Sequence, residues 1–110
     1  MENSKLDVLS LVVPVYNEVE ILPHLRVAIE EWKESLGVVT LEVILVNDGS
    51  MDGSGAYCVH WANEDSMIKY VEFSRNFGHQ QAVSAGLACA NGDVAAIIDL
   101  SPAIHTISTT

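Results

Sequence analysis

The chain has few basic residues and no long apolar run. Five lysines and arginines stand against fifteen aspartates and glutamates in 110 residues, a net charge of −10. This balance repels nucleic-acid phosphates and anionic membrane surfaces, so we expect no nucleic-acid partner. No apolar run reaches the ~18 residues of a membrane span, and the acidic N-terminus is unlike a signal peptide. We therefore expect a cytoplasmic protein without a transmembrane segment, and leave open a peripheral location at the cytoplasmic membrane face.

Cysteine is also scarce. Cys58 and Cys89 lack CxxC spacing and have no secretory context, so we expect two buried free thiols. Hydrophobic residues make up 49% of the chain, which is typical of a globular protein and excludes a disordered one. The length allows one domain at most.

Two common phosphate-binding motifs are missing. No GxGxxG follows the first apolar run, and GxxxxGK[ST] is absent from the whole chain. A dinucleotide-binding Rossmann domain and a P-loop NTPase are therefore excluded. Residues 48–53 partly resemble a calcium-binding EF-hand loop, but position twelve of that loop would be Val59 instead of Glu.

Short β-branched runs alternate with helical periodicity along the chain. The sequence predicts strands over Val8–Val15, Leu41–Val46, Ile68–Phe73 and Val94–Ile98, and helices over Leu22–Leu36 with a cap at Gly37, over Gly55–Asn63 and over His79–Ala90. This alternation predicts an α/β fold with an open, mostly parallel sheet and helices on its faces. The fourth strand is expected to be an edge or poorly covered strand.

Polar residues follow every predicted strand directly, at 16–18, 47–50, 74–76 and Asp99. The carboxyl ends of parallel strands meet at one edge of a sheet, where open α/β sheets bind ligands. Ordinary polar loops are the alternative explanation. An acidic edge needs a divalent cation to hold a phosphorylated ligand. Asp93 precedes a strand at the opposite edge and is expected to be a turn residue.

The same polar residues belong to a series of short motifs. In order these are VPVYNE at 13–18, VNDGS at 46–50, DGS at 52–54, RNFGHQ at 75–80, AGL at 85–87 and IID at 97–99. The series resembles family 2 glycosyltransferases of GT-A fold, and within them the polyprenyl-phosphate type, similar to dolichol-phosphate mannose synthase. The resemblance covers Leu9 to about Asp99. It implies a Rossmann-like, nucleotide-sugar-binding part over residues 1–100, followed by a divergent tail over 101–110.

The resemblance implies a nucleoside pocket lined by the first motif. Pro14 would fix the backbone, and Tyr16 would offer a flat apolar face with a polar tip. Glu18 and Asn17 would belong to the same pocket. Either side chain could instead cap the first helix, and the two roles are compatible.

The second motif would continue this pocket. Val46 would pack beside the nucleoside, and Asp48 would accept hydrogen bonds from the base or ribose. The alternative for Asp48 is an Asx turn within Asp-Gly-Ser. Truncating Asp48 would weaken ligand binding in the first case and lower stability in the second.

Asp99 would be the first carboxylate of the family's Asp-x-Asp motif and would hold Mg²⁺ or Mn²⁺ against the donor diphosphate. The sequence departs from the pattern at Ser101, where the family has Asp, and the next residues lack the expected Gln-Asp-Pro-Pro-like run. Weak metal binding is expected to survive, because magnesium often uses one or two carboxylates plus phosphates.

The remaining cationic candidates are weaker. Arg75 and His79 are candidates for phosphate or sugar contacts, although Arg75 could equally pair with a surface acid. His24, His60 and His105 have no ligand spacing to another His or Cys and are expected to be surface or packing residues.

Two functions stay open at this point. The first is transfer of a hexose from a UDP- or GDP-sugar to a polyprenyl phosphate or another hydroxyl acceptor, by a chain expected to be truncated and weakly active or inactive. The second is a non-catalytic fragment that binds a nucleotide sugar or a partner. The base, the sugar and the acceptor are not predicted.

Overall fold

The computed structural model describes residues 8–36, 40–100 and 107–109. The strands are β1 (Val8–Val15), β2 (Thr40–Asn47), β3 (Ile68–Glu72), β4 (Val94–Ile98) and β5 (Ile107–Thr109), and the helices are α1 (Leu22–Leu36), α2 (Ser54–Glu64) and α3 (His79–Cys89). The predicted bounds of the first and fourth strands are confirmed, and the other predicted bounds differ by one residue at most. The predicted cap at Gly37 lies outside the described residues.

The five strands form one sheet in the order β3-β2-β1-β4-β5. The first four strands are parallel, and Val15 at the end of β1 pairs with Asn47 at the end of β2. β5 pairs antiparallel with β4, and Ile98 lies opposite Ile107. Of the two alternatives expected for the fourth strand, the edge position is therefore wrong, because β4 lies between β1 and β5.

Helices cover both faces of the sheet. Successive side chains of β1 and β2 point to opposite sides, so each strand contributes residues to two separate core clusters. Val13 and Leu45 pack with α1 and α2, in a cluster that includes Ile29 and Trp61. Val12 packs on the other face in a smaller cluster. Both faces of β1 and β2 are buried, which explains why their sequences are continuous apolar runs without alternating polar residues.

The smaller cluster depends on a close approach of α3 to the sheet. Ala82 and Gly86 are the buried residues of this helix, and they lie one turn apart. A Cβ added at Gly86 would collide with Val12 Cγ1 and lie 3.2 Å from Val46 Cγ2. Only glycine lets the helix backbone sit this near to the strands.

A buried polar network lies at the amino edge of the sheet. The Glu42 carboxylate accepts hydrogen bonds from Ser10 Oγ at 2.6 Å and from the Asn91 backbone at 2.8 Å, and it contacts the Lys69 ammonium. The Gly92 amide donates to Ser10 Oγ at 2.9 Å. Burial alone would raise the pKa of Glu42, but the bonds from Lys69, Ser10 and Asn91 outweigh it and lower the pKa to about 2.

The two cysteines differ. Cys58 is buried in the larger core cluster, where burial raises its thiol pKa to about 12. Cys89 is exposed at the end of α3, so the prediction that it would be buried was wrong. The buried residues of α3 are Ala82 and Gly86, and its last three residues, 87–89, are all exposed. In the described part of the chain, none of the helices has the length and apolar character needed to cross a membrane.

Replacing Gly86 with Ala should destabilise the protein by about 1 to 3 kcal/mol, because the added methyl group forces α3 away from β1. Gly-to-Ala changes inside helices normally stabilise, so the sign itself is informative. Chemical denaturation of the purified chain measures the difference, and Ser84→Ala, at an exposed position of α3, is the control. An increase in stability for Gly86→Ala would contradict the close packing.

The Glu42 network should make stability depend on pH. Folding lowers the Glu42 pKa from 4.5 to about 2, so the stabilisation is complete above pH 4.5 and is lost as the pH falls towards 2. The shift corresponds to roughly 3 kcal/mol, of which roughly 2 kcal/mol should be lost by pH 3. Urea denaturation at pH 7 and pH 3 measures this loss. Glu42→Gln should reduce it, and the exposed Glu30→Gln should not; equal losses in both variants would refute the assignment.

Candidate functional site

The carboxyl ends of β1, β2 and β4 and the start of α3 surround a pocket of about 380 Å³, here called the carboxylate pocket. Its volume is within the usual range of small-molecule sites. Six residues singled out in the sequence line it together with Val15, Asn76 and Gly78, and these six are Pro14, Tyr16, Glu18, Asp48, His79 and Asp99. The predicted convergence of these side chains at one edge of the sheet is therefore what the fold produces.

Three other candidates lie elsewhere. Val46 is fully buried in the smaller core cluster and does not line the carboxylate pocket. Asn17 lines a neighbouring cavity of about 490 Å³. Arg75 lines an open cleft of about 800 Å³ between α2 and the loops after β2 and β3, and Tyr16 and Asn76 line both this cleft and the carboxylate pocket. Arg75 is thus adjacent to the pocket rather than in it.

The loop after β1 is bonded to the loop after β2. Asn17 has a left-handed backbone with φ of 53°, and its amide donates to Ser50 Oγ at 2.9 Å. Its side-chain oxygen accepts a hydrogen bond from the Met51 amide at 2.8 Å. The Glu18 carboxylate accepts one from the Tyr16 amide at 3.3 Å. Both side chains therefore hold loops, and these bonds are not caps of α1.

Two residues of the DGS motif at 52–54, to which the sequence alone gave no role, complete this connection. The buried hydroxyl of Ser54 accepts a hydrogen bond from the Glu18 amide at 2.9 Å. Asp52 accepts from the Ser54 amide at 2.9 Å and from the Val19 amide at 3.3 Å. The available signal was the repeated Asp-Gly-Ser at 48–50 and 52–54, whose short polar side chains favour bonds to nearby backbone.

Asp48 is buried, and its carboxylate faces the loop after β3. Oδ1 accepts from the Phe77 amide at 2.7 Å, and Oδ2 accepts from the Gly78 amide and from Asn76 Nδ2, each at 3.1 Å. The turn-forming bond in this loop comes from Asn47, whose Oδ1 accepts from the Ser50 amide at 2.9 Å. The Asp48 carboxylate bonds to residues 76–78 and not within its own turn, which differs from the Asx-turn alternative.

The loop after β3 presents aromatic and cationic side chains. The Arg75 guanidinium lies 4.6 Å from the centre of the Phe77 ring, and this ring packs edge-on against Phe73 at 5.5 Å. Gly78 has φ of 105°, which favours glycine, and His79 begins α3. The chain thus turns sharply into a helix whose first residue faces the carboxylate pocket.

The electrostatics of the pocket are those of neighbouring acids. Burial raises the pKa of Glu18, and the negative charges of Asp99 and Asp52 raise it further, while the hydrogen bond from the Tyr16 amide and His79 act in the opposite direction. A cation between Glu18 and Asp99 would relieve this repulsion. Within the described ranges, no three His, Cys, Asp or Glu side chains form a group that could hold a metal. A divalent ion here would need further oxygen ligands, such as phosphates.

Two further histidines of the described ranges, His24 and His60, do not line this pocket. His60 pairs with Glu64 at 3.2 Å on α2, and His24 is exposed on α1. Their predicted surface positions are confirmed, although His60 also borders the open cleft. His105 and Ser101 lie outside the described residues.

Comparison with known proteins identifies the family. Residues 10–100 match the model of glycosyl transferase family 2. The chain belongs to glycosyltransferase family 2. It is 38% identical over 92 residues to a bactoprenol glucosyl transferase of Shigella phage SfV, and covers 30% of that protein from 84% of its own length. It is 40% identical over 101 residues to an undecaprenyl-phosphate 4-deoxy-4-formamido-L-arabinose transferase of Yersinia enterocolitica. This match covers 89% of this chain and 30% of that protein.

A solved mannosyltransferase structure confirms the fold. A mannosyltransferase of Pyrobaculum calidifontis, solved in complex with GDP-Man and Mn²⁺, aligns with a TM-score of 0.71 and 26% identity over 86% of this chain and 27% of that one. The predicted α/β fold, a Rossmann-like parallel sheet matching the N-terminal part of a GT-A fold, is therefore confirmed. The chain spans about 30% of the length of the curated relatives it matches.

Replacing Ser54 with Ala should lower stability by about 1 to 3 kcal/mol, because the Glu18 amide loses its acceptor in a buried place. The amide of Glu18 should also exchange faster with solvent in NMR spectra. Ser66→Ala, at an exposed position before β3, is the matched control. Unchanged exchange at Glu18 would show that Ser54 does not hold this loop.

Proposed function

We propose that this family 2 chain forms the donor-binding part of a glycosyltransferase that moves a hexose from a UDP- or GDP-sugar to a polyprenyl phosphate or another hydroxyl acceptor. The observation that carries the proposal is the convergence of Tyr16, Glu18, His79 and Asp99 in one pocket at the carboxyl edge of a parallel sheet. Ligands of open α/β sheets bind at this edge. The chemistry of the relatives supplies the substrate class.

The nucleoside would lie against the loop after β1. The Tyr16 side chain is half exposed, and its ring offers a stacking face beside the buried Pro14. The bonds of Asn17 and Glu18 to the next loop hold this face in place before any ligand arrives. A site organised in advance loses less entropy on binding. Val46 would support the nucleoside only from beneath, because it is fully buried.

The diphosphate would lie at the start of α3. Gly78 and His79 line the pocket there, and the first turn of this helix has no acidic residue. The amino end of a helix favours anions through its backbone amides and its dipole. Arg75 and His79 are the side chains that we propose as phosphate or sugar contacts.

Asp99 would hold Mg²⁺ or Mn²⁺ together with oxygens of the diphosphate. The repulsion between Asp99 and Glu18 fits a cation in this place. When bound, such an ion offsets the negative charge that develops on a departing nucleotide. The protein's own groups position the donor: Tyr16 at the base and the start of α3 at the phosphates.

The second candidate function is nucleotide-sugar binding without transfer. The chain spans about 30% of the length of the curated relatives it matches, so transfer and binding are separate proposals. Sugar transfer to a polyprenyl phosphate in a radiolabel assay separates the two functions. Both require donor binding, so binding is the first property to measure.

Thermal unfolding should reveal the donor site. Mn²⁺ with UDP or with GDP at 100 times its dissociation constant should stabilise the chain by about 2.7 kcal/mol and raise its Tm. One of the two nucleotides should act more strongly and so identify the base. Asp99→Asn should weaken the effect of Mn²⁺, and Tyr16→Ala should weaken the effect of either nucleotide.

Val27→Ala is the control, because it shortens a similarly exposed apolar side chain on α1 away from the pocket. It should leave the nucleotide-dependent rise in Tm unchanged. A cooperative unfolding transition whose Tm neither UDP nor GDP shifts, with or without Mn²⁺, would contradict the proposed function.

A further inference from the structure

The Asp48 carboxylate lines the pocket and also binds the backbone of the loop after β3. It is 3% exposed, and it accepts hydrogen bonds from the Phe77 and Gly78 amides and from the Asn76 side chain, which lie 28 to 30 residues further along the chain. A carboxylate has about four acceptor positions. Three of them are therefore used inside the protein.

Gly49 forms a second, independent contact between the same two loops. Its φ is 75°, and an added Cβ would collide with Arg75 C and Asn76 N and lie 2.9 Å from Arg75 Cα. The backbone after β2 is thus in direct contact with the backbone after β3. Asp48 and Gly49 together fix the start of the segment 75–79.

This segment carries both cationic candidates of the site. The Arg75 guanidinium packs on the Phe77 ring, and the amide of Phe77 is bonded to Asp48. His79 follows Gly78, whose amide is also bonded to Asp48. The positions of Arg75 and His79 therefore depend on where Asp48 holds the backbone between them.

We propose that Asp48 is a positioning residue, which fixes the segment 75–79 and so places Arg75 and His79 to receive the diphosphate of the donor. The ligand in this inference rests on the proposed function. The effect of Asp48 on nucleotide binding then passes through the phosphate half of the ligand. Direct contact of Asp48 with the base or ribose would instead act on the nucleoside half.

The test compares two ligands in the full chain and in Asp48→Asn. Uridine and UDP, or guanosine and GDP, are titrated at constant Mg²⁺ and followed by NMR. The asparagine amide keeps the size of the side chain but turns an NH₂ group towards backbone donors. We expect the affinity advantage of the diphosphate over the nucleoside to fall by about tenfold, with little change for the nucleoside.

Amide exchange of the unliganded chain gives a second readout. In Asp48→Asn the amides of Phe77 and Gly78 should exchange about tenfold faster, since each loses a charged acceptor. Asp65→Asn is the matched control, because Asp65 accepts a hydrogen bond from the Met67 amide at 3.0 Å in a turn that does not line the pocket. It should alter neither exchange at Phe77 and Gly78 nor the diphosphate advantage.

The two proposals fail in different ways. If the unmodified chain binds no nucleotide, the proposed function fails, and exchange at Phe77 and Gly78 still decides whether Asp48 holds the loop. Unchanged exchange at both amides overturns the inference. Equal loss of nucleoside and diphosphate affinity also overturns it and assigns Asp48 to the base or ribose. If Asp48→Asn does not fold, Asn76→Ala removes one of the three bonds, and it should accelerate exchange at the same amides to a smaller extent.

Discussion

A single buried carboxylate connects all four parallel strands. Glu42 on β2 is bonded to Ser10 on β1, to Lys69 on β3 and to Asn91 just before β4. Burying a charge is unfavourable unless every lone pair has a partner. The strands must therefore keep their register at this edge for the network to be complete. The polar residues at the opposite edge are left to form the loops and the carboxylate pocket.

That opposite edge is organised by side chains that bond to backbone. Ser54 and Asn17 join the first loop to the second, and Asp48 joins the second loop to the third. Such bonds fix loops without adding regular structure, and they give the pocket a defined shape on a rigid sheet. The same short polar residues that predict turns in a sequence here connect neighbouring turns in space.

The sequence predicts the strands well because burial on both faces leaves an uninterrupted apolar run, as in Val8–Val15. It could not predict Ile107–Thr109, since three residues are too few for a periodic pattern. It also predicts which loops lie close together, because the carboxyl ends of parallel strands lie at the same edge of the sheet. It does not predict the partners of Asp48 or Glu42, which come from residues 27 to 49 positions away and depend on the tertiary register. A glutamate inside the apolar run of β2 was the only local signal for the latter.

The neighbouring acids of the pocket also bear on how fast a ligand arrives. The negative charges of Asp99 and Asp52 both act on Glu18, in a chain of net charge −10. An anion diffusing towards this edge meets a repulsive field, which dissolved salt screens over about 10 Å at 0.1 M ionic strength. A free anionic nucleotide would therefore associate faster as ionic strength rises. For the donor of the proposed function, a divalent cation bound beforehand would reduce this repulsion and so speed association.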